Sequence, residues 1–300
     1  VRFADKDRHQ IFLEPEGWDT FEVYMNGFSS SLPEDVQFNA LRTVPGLEAT
    51  EMMRPGYAVE YDFFPAHQLH YSLETKVING LFFAGQINGT TGYEEAAAQG
   101  LIAGVNAAQK LNGGNSLTLG RDQAYIGVLI DDLITKTPDE PYRMFTSRAE
   151  HRLILRQDNA DLRLTEIGRE LGLVTDSQFD AYLDKKQKLE QITSLLHETR
   201  LTELAKSGLL SDPKLKGSRF AAILKRPEAD LQTMFRESPQ LGQHSAQNLD
   251  DDLLAAVEMD VKYEGYIQRE RVRAEQVRRW EEVKLPAGLD LGGVASMSHE

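Results

Sequence analysis

The 300-residue sequence contains no cysteine, which excludes disulfides, thiolate metal sites and cysteine nucleophiles within it. No run approaches the ~18 consecutive apolar residues of a membrane-spanning helix; stretches such as Leu81–Ala84 and Val128–Ile130 are short. No secretory segment opens the sequence, so a cytoplasmic protein without a membrane role is expected. Positive charge is in deficit: 33 Lys plus Arg stand against 47 Asp plus Glu, a formal net charge of −14. That balance opposes non-specific nucleic-acid binding, yet it leaves room for a local basic face. The G-x-G-x-x-G dinucleotide fingerprint is missing as well. The chain begins at Val1 and runs straight into Arg2-Phe3-Ala4-Asp5, which reads as a cut through a larger protein.

What is present fits about two domains at the usual ~150 residues each. With 41% hydrophobic and 27% charged residues, the composition is that of a folded globular chain. Residues 1–112 read as mixed α/β. Gln10 to Leu13 and Phe21 to Met25 are β-prone runs, Asn26-Gly27 supplies a turn, and Leu32-Pro33-Glu34-Asp35 opens a helix through Leu41. Tyr57 to Phe64 and Val77 to Ala84 are expected strands. Asn112-Gly113-Gly114-Asn115-Ser116 is the linker candidate. Residues 113–300 read as a helical domain, with three- and four-residue apolar spacing near 121–135, 176–199 and 250–283. Gly265 sits inside the last of these and is expected to let it bend.

The most informative stretch runs from Gly80 to Gly100. An expected strand enters Gly85, a loop carries Gly89 and Gly92, and a helix follows. Thr91 and Glu94 have capping-box spacing. Ala96, Gly100, Gly104 and Ala108 recur every four residues, a ridge that lets the helix lie close to a sheet or a ligand. Glycines let a ligand reach the backbone, and free N–H groups at the helix start can donate to a phosphate or a flavin carbonyl. The same pattern also serves a purely structural βα turn.

Phe82-Phe-Ala-Gly-Gln-Ile-Asn-Gly-Thr-Thr-Gly-Tyr-Glu-Glu95 resembles the second flavin-contacting segment of the GidA/MnmG family. Arg54 to Asp62, Pro141 to Glu150, Asn159 to Glu166 and Val261 to Ile267 resemble other stretches of the same family; the resemblance is dense from residue 1 to about 173 and looser to about 296, where only the tyrosine-rich helix and Leu285-Pro286 stand out. The resemblance implies the remainder of a Rossmann-type FAD/NAD-binding flavoprotein up to residue 112, followed by a mainly α-helical tRNA- and partner-binding region. It implies FAD contacts at Gln86, Asn88, Gly89 and Gly92, and NAD contacts at Val1, Arg2 and Phe3. It further implies tRNA wobble-uridine modification using FAD, NADH, methylenetetrahydrofolate and glycine or ammonium, with a GTPase partner and a homodimeric state. The family's G-x-G-x-x-G strand, its cysteines and its C-terminal tail are expected to lie outside this chain. No catalytic residue is therefore assigned within it, and the fragment alone is expected to be inactive.

Between Arg143 and Arg169 lie six arginines, no lysine and four acids. Arg148, Arg152 and Arg156 have i, i+4, i+8 spacing, so one helical face is expected to project three guanidinium groups. These either pair with the nearby acids or grip phosphates bidentately. The resemblance favours tRNA phosphate binding by Arg143, Arg148, Arg152 and Arg156, with Tyr142 and Phe145 either stacking on bases or buried as core. Lys262 to Arg279 holds six basic and three acidic residues, a solvated helix face, a second RNA strip or a subunit interface. Asp131-Asp132 is read as a solvated helix face, and His67-x-x-His70 is too sparse for a metal site. His151, beside Glu150 in the arginine run, is the one histidine of interest. Three other readings stand beside the first: a folate-dependent flavoprotein methylating the tRNA T-loop, a generic NAD(P)H–flavin reductase, and a non-enzymatic RNA or partner scaffold.

Overall fold

A computed structural model describes residues 6–58, 60–136, 140–243, 250–281 and 283–284. The NAD contacts expected at Val1, Arg2 and Phe3, and the Leu285-Pro286 match, lie outside the described residues. The chain divides into two compact units after Asp62, ahead of the composition change at residue 112.

The first unit holds an antiparallel pair, β1 (Phe12–Pro15) and β2 (Val23–Asn26), with Phe12 opposite Asn26 and Pro15 opposite Val23. Helix α1 (Glu34–Leu41) follows Pro33 with two acids in its first turn. Gln37 ties the unit together: its amide donates to Leu32 O (2.6 Å) and Gly56 O (2.8 Å) and accepts from Gly56 N (2.8 Å). Only Gln37 and Leu41 are buried among the unit's described residues.

In the second unit the expected strand at Val77–Ala84 is reduced to one bridge, Glu74 opposite Phe82, with Leu69 bridging Thr75 nearby. A strand persists only where a neighbour supplies a ladder, and here Phe83 N finds Leu73 O (3.0 Å) and little more. Tyr57–Phe64 likewise forms no strand among its described residues. A 3-10 turn at Gly85–Asn88 leads into α2 (Tyr93–Leu111), and α3 (Tyr125–Lys136) packs against it. Ile102, Ala103, Leu129, Ile130, Leu133 and Tyr142 build the core between them with Leu69 and Leu73.

The small-residue ridge of α2 is not the buried one. Gly100, Gly104 and Ala108 are exposed, and Glu95, Gln99, Ile102, Ala103, Val105 and Asn106 face inward. Asn106 explains the rotation of the helix, because its amide is spent on Ser72 O (3.1 Å), Leu117 O (3.0 Å) and Leu117 N (2.6 Å).

Helical periodicity holds downstream. Helices α4 (Ala160–Glu170), α5 (Asp176–Glu198), α6 (Phe220–Leu224), α7 (Leu231–Glu237), α8 (Pro239–Gly242) and α9 (Asp251–Glu281) follow. Thr175 and Gln178 close a full capping box on α5. A separate core joins α5 through α9, including Leu189, Leu196, Phe220, Leu231, Phe235 and Val257. Helix α9 runs unbroken through Gly265.

Candidate functional site

Gly85 and Gly89 both adopt positive φ (81° and 75°), the left-handed region glycine tolerates. A Cβ on Gly85 would also stand 3.2 Å from that of Ala96, so glycine is needed there for the turn to meet α2. Gln99, fully buried nearly two turns into α2, holds the loop: its Oε1 accepts from Gly85 N (2.9 Å) and Asn88 Nδ2 (2.9 Å). Asn88 Nδ2 also donates to Phe83 O (3.1 Å). The Gln86 side chain is exposed and makes no hydrogen bond with a described residue.

Buried polar atoms at this turn lack hydrogen-bond partners among the described residues: Asn88 Oδ1, Thr90 Oγ1, Gln99 Nε2 and Glu95 Oε2. Buried polar atoms are ordinarily satisfied, and leaving one unmade costs about 1–3 kcal/mol. Gly92 caps α2 without a side-chain hydrogen bond, and the Glu95 carboxylate lies folded back beside it at the helix start. Donors, acceptors and close glycine backbone together fit a dinucleotide such as FAD.

The expected capping box fails at its acid. Glu95, not Glu94, folds back, and its carboxylate packs against Gly92. Glu95 is 5% exposed. Its Oε1 accepts from Met144 N (2.8 Å) and ion-pairs with Arg143 Nε (3.3 Å). Burial pushes this carboxyl up, but the Met144 amide and Arg143 outweigh it and hold it below its ordinary range. A second strap joins Tyr142 N to Gly89 O (2.9 Å).

The strapped segment carries the arginines, but no helical face of three forms. Only Thr146–Arg148 makes a 3-10 turn, and α4 starts at Ala160, beyond all three. Arg148 lies over the buried Tyr142 ring (4.5 Å) and donates to Arg143 O (2.9 Å). Arg152 is exposed and makes no ion pair with a described residue. The Arg156 side chain is 12% exposed and bound to Asp158 (2.9 Å) and Asp260 (2.6 Å). Tyr142 is core, Phe145 is exposed, and His151 is buried.

Arg121 is the residue that sequence reasoning missed. Its guanidinium grips Glu150 through two nitrogens (2.7 and 2.8 Å), Asp131 (2.8 Å), Asp132 (2.7 Å) and Arg148 O (3.1 Å). Asp132, far from solvated, has no exposed surface and also receives Tyr142 OH (2.9 Å) and Lys136 (2.6 Å). A lone arginine 29 residues from its acid leaves no spacing signal.

On α9, Tyr263 and Tyr266 are exposed with ring centroids 6.3 Å apart, and Arg269 lies over Tyr266 (4.7 Å). Lys262 is bound to Glu258 and Ala229 O, Arg279 to Glu275, and Arg278 to Asp122. No cluster of three metal-ligating side chains occurs among the described residues, and no helix there is long and apolar enough to cross a membrane.

A family model described as glucose inhibited division protein A matches residues 1–115, and one described as the tRNA modifying enzyme MnmG/GidA C-terminal helical domain matches residues 176–271. The whole chain aligns at 51% identity with the tRNA uridine 5-carboxymethylaminomethyl modification enzyme MnmG of Flavobacterium johnsoniae, covering 49% of it. The chain belongs to the GidA/MnmG family. The enzyme of the same name from Salinibacter ruber is 50% identical over the whole chain, which covers 46% of it. The form II crystal structure of Aquifex aeolicus GidA superposes with a TM-score of 0.72 at 42% identity, over 99% of this chain and 47% of that one. The chain therefore spans about half the length of the curated relatives it matches. Arg121, Arg143, Arg148 and Arg152 lie between the two stretches matched by the GidA and MnmG/GidA family models.

Proposed function

We propose that this chain forms part of an FAD-dependent enzyme that installs the 5-carboxymethylaminomethyl group on the wobble uridine of tRNA. The observation that carries the reading is the glycine turn. Its unpaired buried polar atoms lie directly beside the arginine-bearing segment 142–152, to which it is strapped. Bound there, FAD would supply hydride or electron transfer, with methylenetetrahydrofolate as the source of the one-carbon unit for the uracil. NADH, glycine or ammonium, a GTPase partner, a homodimer and a cytoplasmic setting complete the reading, with Val1, Arg2 and Phe3 on the NAD side.

In this reading, residues up to 112 belong to a Rossmann-type flavin-binding region and residues from 113 onward carry tRNA and the partner. Gln86 would offer its unspent amide to a bound flavin, and the backbone at Asn88, Gly89 and Gly92 would hold the dinucleotide. Arg143, Arg148 and Arg152 meet RNA phosphates, with Phe145 exposed between them for stacking on an unpaired base. Arg156, expected to join them, has its guanidinium occupied by Asp158 and Asp260 and is proposed to brace them instead.

Deleting the gene, digesting bulk tRNA and weighing its nucleosides tests the assignment. Loss of the 5-carboxymethylaminomethyl group at the wobble position is expected. An intact wobble uridine, with or without loss of a T-loop methyl group, overturns it.

A further inference from the structure

The buried carboxylate of Glu95 performs a task that cofactor binding does not require. It stands in the first turn of α2 but spends its Oε1 on residues 48 and 49 positions away, Arg143 Nε (3.3 Å) and Met144 N (2.8 Å). The turn is shaped around it: a Cβ on Gly92 would fall 1.9 Å from Oε2. Arg143 is meanwhile 56% exposed at its side chain, so one guanidinium edge is held and the rest faces solvent. Two residues further on, Phe145 is also exposed.

We propose that Glu95 is a positioning residue that fixes Arg143, and with it the RNA-contacting segment, against the glycine turn. This deepens the reading above and rests on it. A long arginine side chain in water has many rotamers, and immobilising it on binding costs conformational entropy. Glu95 holds Arg143 before RNA arrives, so less of that cost falls on association. The Met144 bond fixes the backbone between Arg143 and Phe145 to the helix that begins at the glycine turn. The distance between a phosphate held at Arg143 and a base carried toward the turn is thereby set by the protein. An error of about 1 Å in such placement is enough to slow a reaction substantially.

The test is a double-mutant cycle in the full-length, flavin-loaded protein, with tRNA affinity measured for wild type, Glu95→Gln, Arg143→Ala and the pair. Glutamine keeps an acceptor for Met144 N and removes only the charge that holds Arg143. Glu95→Gln is expected to weaken tRNA binding roughly threefold to tenfold. In the Arg143→Ala background the same change is expected to have almost no further effect, since coupled neighbours are non-additive. Additive effects, or wild-type affinity in Glu95→Gln, overturn the positioning role. Wild-type affinity in Arg143→Ala instead overturns the RNA-binding reading on which it rests. Glu95→Asp, which keeps the charge on a shorter arm, is expected to recover part of the loss, and failure to exceed Glu95→Gln counts against the proposal.

Discussion

Asp132 has no exposed surface, yet Arg121, Lys136 and the Tyr142 hydroxyl converge on its carboxylate, with Arg148 at 3.8 Å as well. Burial pushes its carboxyl up, but hydrogen bonds from Lys136, Arg121 and Tyr142 outweigh that and hold it below the ordinary carboxylate range. A carboxyl with a lowered folded-state pKa contributes stability that is complete above its unfolded value of about 4. That stability is lost as pH falls through the folded value. Asp132→Asn is therefore expected to cost about 3 kcal/mol or more at pH 7, the usual cost of breaking a buried pair. The gap from wild type should narrow below pH 4, read as urea midpoints at both pH values. The arginines divide by the same logic. Arg152→Ala is expected to lower the salt slope of tRNA binding by about one. Arg156→Ala, by leaving Asp260 and Asp158 without their cation, is expected to lower the melting temperature instead. A salt series and thermal melts on both variants separate the two.

At the scale of elements, what could be read from sequence was what is determined locally. The helices α3, α5 and α9 follow apolar periodicity, and the Thr175 cap fixes where α5 begins. The Val77–Ala84 strand was not legible, because a strand depends on a distant neighbour. The arginine face failed for a related reason. Spacing of charges alone does not make a helix, and the intervening buried residues, Ala149, His151 and Leu155, form no continuous helical stripe. The glycine turn itself was legible, as was the start of α2. Glu95 was not, because its partners lie 48 and 49 residues downstream. Gly265 carries a simpler consequence. Nothing stands within 4 Å of where its Cβ would be, and the helix is regular there. Gly265→Ala is expected to stabilise the protein by up to ~1 kcal/mol through helix propensity and reduced unfolded-state freedom. Urea denaturation checks this, and a loss of stability would show that the glycine serves an approach to another molecule.

Taken whole, the chain concentrates its buried apolar residues after Asp62. The second unit holds two substantial cores, one around α2 and α3 and one joining α5 through α9. The first unit buries only Gln37 and Leu41 among its described residues, and Phe12, Leu13, Trp18, Phe21, Val23 and Tyr24 are exposed on or beside its two strands. A two-stranded ribbon without a covered face is marginal in water. In the isolated chain, the amides of β1 and β2 are expected to exchange hydrogen far faster than those of α5 and α9. Equal protection would mean that something covers the ribbon, and native-state exchange read by mass spectrometry decides it.

Helix α9 gives the molecule a gauge bar. Its 31 residues extend about 46 Å at the helical rise. Leu253, Val257 and Val261 are seated in the core shared with α5 through α8. Asp260 engages Arg156, and Arg278, near the far end, engages Asp122, the neighbour of Arg121. A helix does not stretch as a linker does. Its Arg278 pair therefore ties the bundle's long helix to the loop that carries Arg121, whose guanidinium holds Glu150 and the Arg148 carbonyl. One helix thus joins the bundle to the arginine segment at two points, through Asp260 at Arg156 and through Arg278 at the loop before α3.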